Sequence, residues 1–416
     1  MVEATLSGVG IILGAGVYTL IGPASALAGN ALWLAFTLAG IAAILSVHAY
    51  ARLGPVRARN APEFQYVSMA FGTRLGFVAG WLMLATNILA AGAVSLGFAG
   101  YLNHLTGIPW WLGGGLLLVV STAVAMMGTS PSVWLAGGFT VAEAAGLIFI
   151  GIAGAPFLPG ADLTAMPSGF AGVTAAASLV FFAYIGFGQV GNLAEEMRDP
   201  QRDLPRALYL SVGITGIIYV STAVAAAAVV GWEALSVSDA PLALVAGAIF
   251  GPGADAALSL VAMAATGNTV LLLTLSSARS VQAMAAEGVL PRTLASVAGH
   301  GVPVTATLVV ATIVGLLLLL GNVRAVAELT NGAVLAGMLL VNLSLIQLAR
   351  RGTLPDAARR GRLDMALAGL AALACGGLLL LAGGASLVTA LGLAAVALLA
   401  TWGQRGRLLG VPPGGD

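Results

Sequence analysis

Lysine is absent from the 416 residues, cysteine occurs once, and aromatic side chains make up 6% of the chain. Charge of either sign is scarce: Asp, Glu, Arg and Lys together reach 8%, against about 25% in soluble domains. A single cysteine, Cys375, excludes an internal disulfide, and its apolar setting marks an inert thiol. His48, His104 and His300 lie far apart, and no Cys or His cluster has metal-ligand spacing, so no structural metal is expected. Long polar segments are missing too, which leaves no room for a separate catalytic or nucleic-acid-binding domain. The apolar regions hold no converging nucleophile and base. They also hold no repeated filter motif or charged ring of a channel. An enzyme and a channel are both disfavoured, and no cofactor is expected.

What remains is apolar sequence, at 59% of residues and a mean hydropathy of +1.01. Twelve runs are each long enough to cross a hydrocarbon core of roughly 30 Å as a helix. They cover 7–28, 31–50, 75–101, 109–128, 132–157, 171–193, 206–230, 254–283, 303–321, 325–349, 364–383 and 385–403. Residues 6–28 lack a basic leader region and are interrupted by Gly8, Gly10, Gly14 and Gly16, so they read as a first helix and not as a signal peptide.

All seventeen basic residues are Arg, and they gather in alternate connections. Arg52, Arg57, Arg59 and Arg74 flank the second; Arg198, Arg202 and Arg206 the sixth; Arg279 and Arg292 the eighth; Arg350, Arg351, Arg359, Arg360 and Arg362 the tenth. Arg405 and Arg407 lie in the tail, and only Arg324 falls on the other side. The positive-inside rule then puts both termini in the cytoplasm of a multi-pass cell-membrane protein. Asp162, Glu233, Asp239, Asp255 and Glu328 face outside.

Two runs carry glycines near their middles: Gly8-Val9-Gly10-Ile11-Ile12-Leu13-Gly14-Ala15-Gly16-Val17-Tyr18, and Phe181-Phe182-Ala183-Tyr184-Ile185-Gly186-Phe187-Gly188-Gln189-Val190-Gly191. They open two five-helix halves, at helix 1 and helix 6. Matching interruptions in two halves point to an inverted-repeat transporter with broken helices at its centre. Close packing of helices through small residues is the competing explanation of the same glycines.

The first of these stretches resembles the G-x-G-x-I-I-G-x-G signature of the amino acid-polyamine-organocation superfamily, with Leu13 where Ile is usual. The second resembles it more closely through Phe181–Phe187, followed by Ala194-Glu195-Glu196-Met197-Arg198-Asp199-Pro200-Gln201-Arg202-Asp203-Leu204-Pro205-Arg206-Ala207. Ala278-Arg279, the stretch 283–291, Glu328-Leu329-Thr330-Asn331-Gly332 and Val341-Asn342-Leu343 extend the likeness over about residues 5 to 350. Within that superfamily the chain is similar to bacterial proteins resembling cationic amino acid transporters. Three places depart from the pattern. Gly188 and Gln189 stand where many relatives carry an acid, and Arg52 stands where Glu is usual, with Asn60-Ala61-Pro62-Glu63-Phe64 replacing a Gly-Gly pair. In the fifth helix, Thr140-Val141-Ala142-Glu143-Ala144 occupies the place where some proton-coupled relatives have Lys.

The resemblance implies an all-α integral membrane protein with a leucine-transporter-like 5+5 inverted repeat, broken helices 1 and 6, and about twelve transmembrane helices. Residues 5–157 form the first repeat, 171–350 the second, 364–403 two extra helices and 404–416 a cytoplasmic tail. The implied function is a secondary active amino acid transporter working by alternating access, with proton-coupled uptake. A polyamine or other organic cation, and sodium coupling, are the alternatives. The expected partners are thus a small amino acid substrate, a proton and the lipid bilayer.

Backbone amides freed at Gly14, Ala15 and Gly16 start the second half of helix 1, where the helix dipole favours a carboxylate. Carbonyls freed at Gly10 and Leu13, and at Phe182, Ala183 and Ile185, suit the ammonium. Tyr18, Asn87, Tyr184, Phe187, Asn268 and Asn331 are candidates to read the variable part of the substrate, or else to pack and bond between helices. Glu143 is the one acid placed in the bilayer core, where a charge costs on the order of 3 kcal/mol. It serves either as a proton carrier or as a hydrogen-bonded structural carboxyl. Thr274, Ser276 and Ser277 are the candidate sodium ligands. Trp110 and Trp111 read as interfacial anchors.

Overall fold

The computed structural model describes all residues except 57–60, 129–132, 191–196, 198, 287, 289, 299–300, 355–356 and 403–416. Arg57, Arg59, Asn60, Gly191, Ala194, Glu195, Glu196, Arg198, Glu287, His300, Arg405 and Arg407, with the 404–416 tail, therefore lie outside the described residues.

In each of the twelve apolar runs the described residues are mainly helical. The first is split into α1 (Val2–Leu13) and α2 (Gly16–Ala28), followed by α3 (Leu32–Leu53) and a short α4 (Pro62–Phe71). Next come α5 (Thr73–Thr106), α6 (Trp110–Met126) and α7 (Val133–Ala153). The sixth run is split into α8 (Gly169–Val180), a 3-10 turn (Phe181–Tyr184) and α9 (Phe187–Val190). The remainder are α10 (Pro200–Ser236), α11 (Pro241–Phe250), α12 (Ala254–Ala286), α13 (Val304–Leu318), α14 (Val323–Arg350), α15 (Ala357–Leu381) and α16 (Gly384–Trp402). No strand occurs among the described residues. Among the described residues, eight helical segments are long and apolar enough to cross a membrane, and further apolar helices of 10–17 residues accompany them.

Local sequence explains where helices start. Asp199 accepts a hydrogen bond from the Arg202 amide with Pro200 at the first helical position of α10, and Asn322 accepts from the Ala325 amide at the head of α14. Inside the helices, hydroxyls bond back one turn, as in Thr86 to Leu82, Ser95 to Ala91 and Thr266 to Ala262. Outward faces carry Ile217, Leu373, Val388 and Leu391 exposed. Small and polar residues point inward, an inside-out arrangement suited to lipid and not to water. The chain is a multi-pass membrane protein.

At the centre, α5 packs on α12, α14 and α4, while α10 packs on α3, α1 and α2. The last two helices are more than an appendage. α15 lies on α14, α3 and α8 and is stitched to them at three levels. Asp364 is fully buried and takes Arg52 through Nε and Nη2, with His48 Nε2 at 3.0 Å. Cys375 Sγ lies 3.3 Å from Ser46 Oγ, and Ser178 Oγ donates to the Leu378 carbonyl.

At the end away from most arginines, the α2–α3 junction is closed over by the 155–168 segment. Asn30 Nδ2 donates to the Asp162 carbonyl, Trp33 Nε1 donates to the Leu163 carbonyl, and Asn30 Oδ1 accepts from the Trp232 amide.

Candidate functional site

Both glycine-interrupted helices are broken, and the two breaks touch. α1 ends at Leu13, Gly14 takes φ +31, and α2 restarts at Gly16. In the second, Ile185 is extended and Gly186 takes φ +136 before α9 begins. The contacts are reciprocal. A Cβ on Gly16 would lie 2.6 Å from the Ala183 Cα, and one on Gly186 would lie 2.8 Å from the Ile11 carbonyl oxygen. Only glycine allows the backbones to approach this closely.

Breaking a helix leaves carbonyls at its first half and amides at its second without partners. The amides of Ala15, Gly16, Val17 and Tyr18 open α2 in this way. Many of the carbonyls are served by a residue absent from the sequence-derived candidates, Tyr219 of α10. Its fully buried hydroxyl lies 2.8 Å from the Ile12 carbonyl, 2.6 Å from that of Leu13 and 3.0 Å from that of Ala183. One hydroxyl proton therefore faces three acceptors on both breaks. Tyr219 was legible only as a lone tyrosine in the apolar run Ile217-Ile218-Tyr219-Val220, a weak signal.

The sequence-derived site residues divide. Leu13, Gly14, Ala15 and Gly16 line the first break, with Gly10 inside α1 three residues before its end, and Phe182, Ala183, Tyr184 and Ile185 line the second. Leu13 and Ala183 offer carbonyls that already face Tyr219, and the Phe182 carbonyl accepts from the Ile185 amide. Gly16 is the seat of the Ala183 backbone, so its missing side chain serves the contact between breaks. Gly10 faces Thr140 of α7, whose Cγ2 would sit 2.5 Å from an added Cβ. Gly14 differs: the nearest atom to an added Cβ is 3.8 Å away, with Thr269 Oγ1 of α12 at 3.9 Å.

The hydroxyl of Tyr184 donates to the Phe36 carbonyl on α3, and Phe187 stacks edge-on against Tyr50 at 5.2 Å. Both side chains serve packing against α3. Tyr18 donates to the backbone carbonyl of Glu143, and Tyr101 donates to the carbonyl of Tyr18. Asn331 Nδ2 donates to the Ser178 and Leu179 carbonyls, the last turn of α8. Asn87 and Asn268 are half-buried on α5 and α12, and no hydrogen bond among the described residues ties them to a break.

Glu143 is 4% exposed on α7, with Oε1 buried and without a hydrogen-bond partner. It is not the only buried acid: Asp364 and Glu63 are buried too, but both have side-chain partners. Of the three hydroxyls suggested for sodium, Thr274 and Ser277 are buried and unpartnered, whereas Ser276 is exposed.

Accessibility is one-sided. Gly10, Ile11, Gly14 and Ile185 are partly exposed and Gln189 is exposed, while Gly16–Gly22 and Ala176–Val180 are buried. Partial exposure around the breaks thus lies on the α1 and α9 side.

Adjacent breaks in two apolar helices, inside a multi-pass helical bundle, are an arrangement that membrane transporters use. The amino acid permease family model matches residues 1–403, and the chain belongs to that family, within the amino acid-polyamine-organocation superfamily. It is 26% identical over 380 residues to the branched-chain amino acid permease BcaP of Bacillus subtilis strain 168, covering 86% of this chain and 81% of that protein. It is 26% identical over 378 residues to a methylthioribose transporter of the same organism, covering 84% and 80%. With human cationic amino acid transporter 4 it shares 29% over 386 residues, covering 86% of this chain and 60% of that protein.

Proposed function

We propose that the chain is a secondary active transporter that takes up amino acids across the cell membrane by alternating access, coupled to protons through Glu143. The carrying observation is the meeting of the two breaks at Tyr219. Backbone amides at Ala15–Val17 suit a carboxylate at the head of α2. Carbonyls at the end of α1 and around Ala183 suit an ammonium, which would supply three donors where Tyr219 supplies one. Main-chain groups thus read the part common to every amino acid, while the family and the relatives named as amino acid permeases favour that substrate over a polyamine. Ten of the helical passes form the two repeats, 5–157 and 171–350, with about twelve spans in all. Both termini are cytoplasmic by the arginine distribution. Under that orientation the accessible α1 and α9 side faces the cytoplasm, and the closed Asn30–Asp162 end faces outside.

Glu143 supports proton coupling because ionising a carboxyl that keeps one oxygen buried and unpartnered is costly, so its charge must be matched within the cycle. Thr274 and Ser277, both buried and unpartnered, favour sodium as the second reading. Purified protein in proteoliposomes distinguishes them. Radiolabelled amino acids should accumulate under an inward proton gradient, competed by other amino acids and not by polyamines. Accumulation that follows a sodium gradient alone would reject Glu143 as the coupling group.

A further inference from the structure

At the end of the bundle that carries most arginines, side chains of α4 reach across to α3 and α9. α4 itself packs on α5 and α14, whereas α9, the half-helix beyond the second break, packs on α1, α10 and α3. Glu63 of α4 joins the two groups. It is 7% exposed, and its Oε1 accepts the Tyr50 hydroxyl of α3 at 2.9 Å. The same oxygen rests in a notch on α9: a Cβ added to Gly188 would lie 2.7 Å from it and 3.2 Å from Cε1 of the Tyr50 ring. Gly188 is helical and has no positive φ, so its missing side chain serves space and not backbone conformation. Phe187 of α9 and Tyr66 of α4 both meet the Tyr50 ring edge-on, at 5.2 and 5.8 Å. A buried carboxyl with a hydrogen bond to one helix and a fitted seat on a second holds the two in register.

We propose that Glu63 is a positioning residue for α9. Gly186, at φ +136, joins the second break to α9, and Glu63 fixes how α9 leaves that joint. Gln189 of α9 is exposed, and Ile185 before the joint is partly exposed. The arrangement that Glu63 holds is therefore the one with exposure on the α1 and α9 side. Closing that side lifts α9 off Glu63, so the latch favours the arrangement seen here while leaving the groups at the breaks untouched. A contact made in one arrangement and absent from the other shifts the balance between them by its own free energy. The effect on transport rests on the carrier reading above; the seating of α9 does not.

The test compares full-length Glu63→Ala, Gly188→Ala, the double variant and Glu63→Gln. Hydrogen exchange of residues 187–190 in detergent reads the seating without any transport. Loss of the Tyr50 bond, or a methyl in the notch, should speed exchange there about fivefold to tenfold. Glu63→Gln still offers an oxygen to Tyr50 and should stay within about twofold of wild type. The double variant should exchange no faster than either single one, because the methyl enters space that the carboxyl has left. Effects that multiply in the double variant, or unchanged exchange in Glu63→Ala, would overturn the proposal. If Gly188→Ala does not fold, the contrast between Glu63→Ala and Glu63→Gln still decides it. In everted and right-side-out vesicles, Glu63→Ala should raise KM for radiolabelled L-valine on the α1 and α9 face about fivefold and lower it on the opposite face. A KM that moves the same way on both faces would reject the bias between arrangements. Absence of valine transport in the wild type would count against the carrier reading alone, and the hydrogen-exchange comparison would stand.

Discussion

Glu143 and Asp364 are both buried acids in an apolar bundle, and their surroundings are opposite. Asp364 is enclosed by a forked Arg52 and by His48, whose other ring nitrogen lies 2.8 Å from the Tyr209 hydroxyl. Glu143 leaves Oε1 with no partner. A carboxylate with a full set of partners is held in one state and fastens helices together. One with an unpartnered oxygen is not fastened to its neighbours in that way. Placement inside the membrane does not assign a role to an acid; its partners do.

Three substitutions sharpen that contrast. Asp364→Ala removes the carboxylate that Arg52 and His48 share and should destabilise the protein by about 3 kcal/mol or more, read as a lowered unfolding midpoint in detergent. Glu143→Gln should leave that midpoint within about 1 kcal/mol of wild type, while exchange of substrate persists and accumulation under a proton gradient is lost. A Gln variant that unfolds as readily as Asp364→Ala would erase the distinction. Tyr219→Phe removes the donor shared by both breaks and should cost on the order of 1–3 kcal/mol, appearing as weaker substrate affinity with the helices still assembled.

Glu63 is the intermediate case, with one carboxyl oxygen 2.9 Å from the Tyr50 hydroxyl on the α3 side of α4. Burial raises its pKa above the ordinary carboxylate value, outweighing the hydrogen bonds that favour the charged form. A carboxyl raised in the fold binds its proton more tightly folded than unfolded. Its contribution to stability is therefore present at low pH and is lost as pH rises through the unfolded value toward the folded one. Glu63→Gln should flatten the stability profile above about pH 4.5, with the smallest effect of the four at lower pH. An unchanged slope would mean that Glu63 does not titrate with folding.

The glycines show how far the sequence could be read. Their two explanations, helix breaks and close packing, each hold at different positions. Gly14 and Gly186 carry the positive φ of a break, whereas Gly8 abuts Ser211 and Gly10 abuts Thr140 within an intact α1. Periodic apolar runs reveal helices because hydrocarbon thickness sets their length. Which glycine in a cluster breaks a helix depends on what packs against it, and that partner lies more than a hundred residues away. Tyr219 and Asp364 escaped notice for the same reason: a tyrosine beside valine, or an acid at a helix end, gains its role from distant neighbours.

Gly14 and Gly16 allow a direct check of that point. Gly14→Ala meets only ordinary van der Waals contacts but an unfavourable φ, a strain of about 1–3 kcal/mol. Gly16→Val must displace the Ala183 backbone, so it should abolish uptake and lower the yield of folded protein. Equal uptake by the two variants would argue that the breaks do not touch.

Evolution and engineering both face a limit in the way α15 is sewn to the bundle. Cutting the chain before α15 would uncover the Ser46–Asn342 pair and the Leu378-bonded Ser178, and would remove the carboxylate that Arg52 holds. Truncation at that point therefore exposes polar groups on α3, α8 and α14 that the bundle now keeps covered.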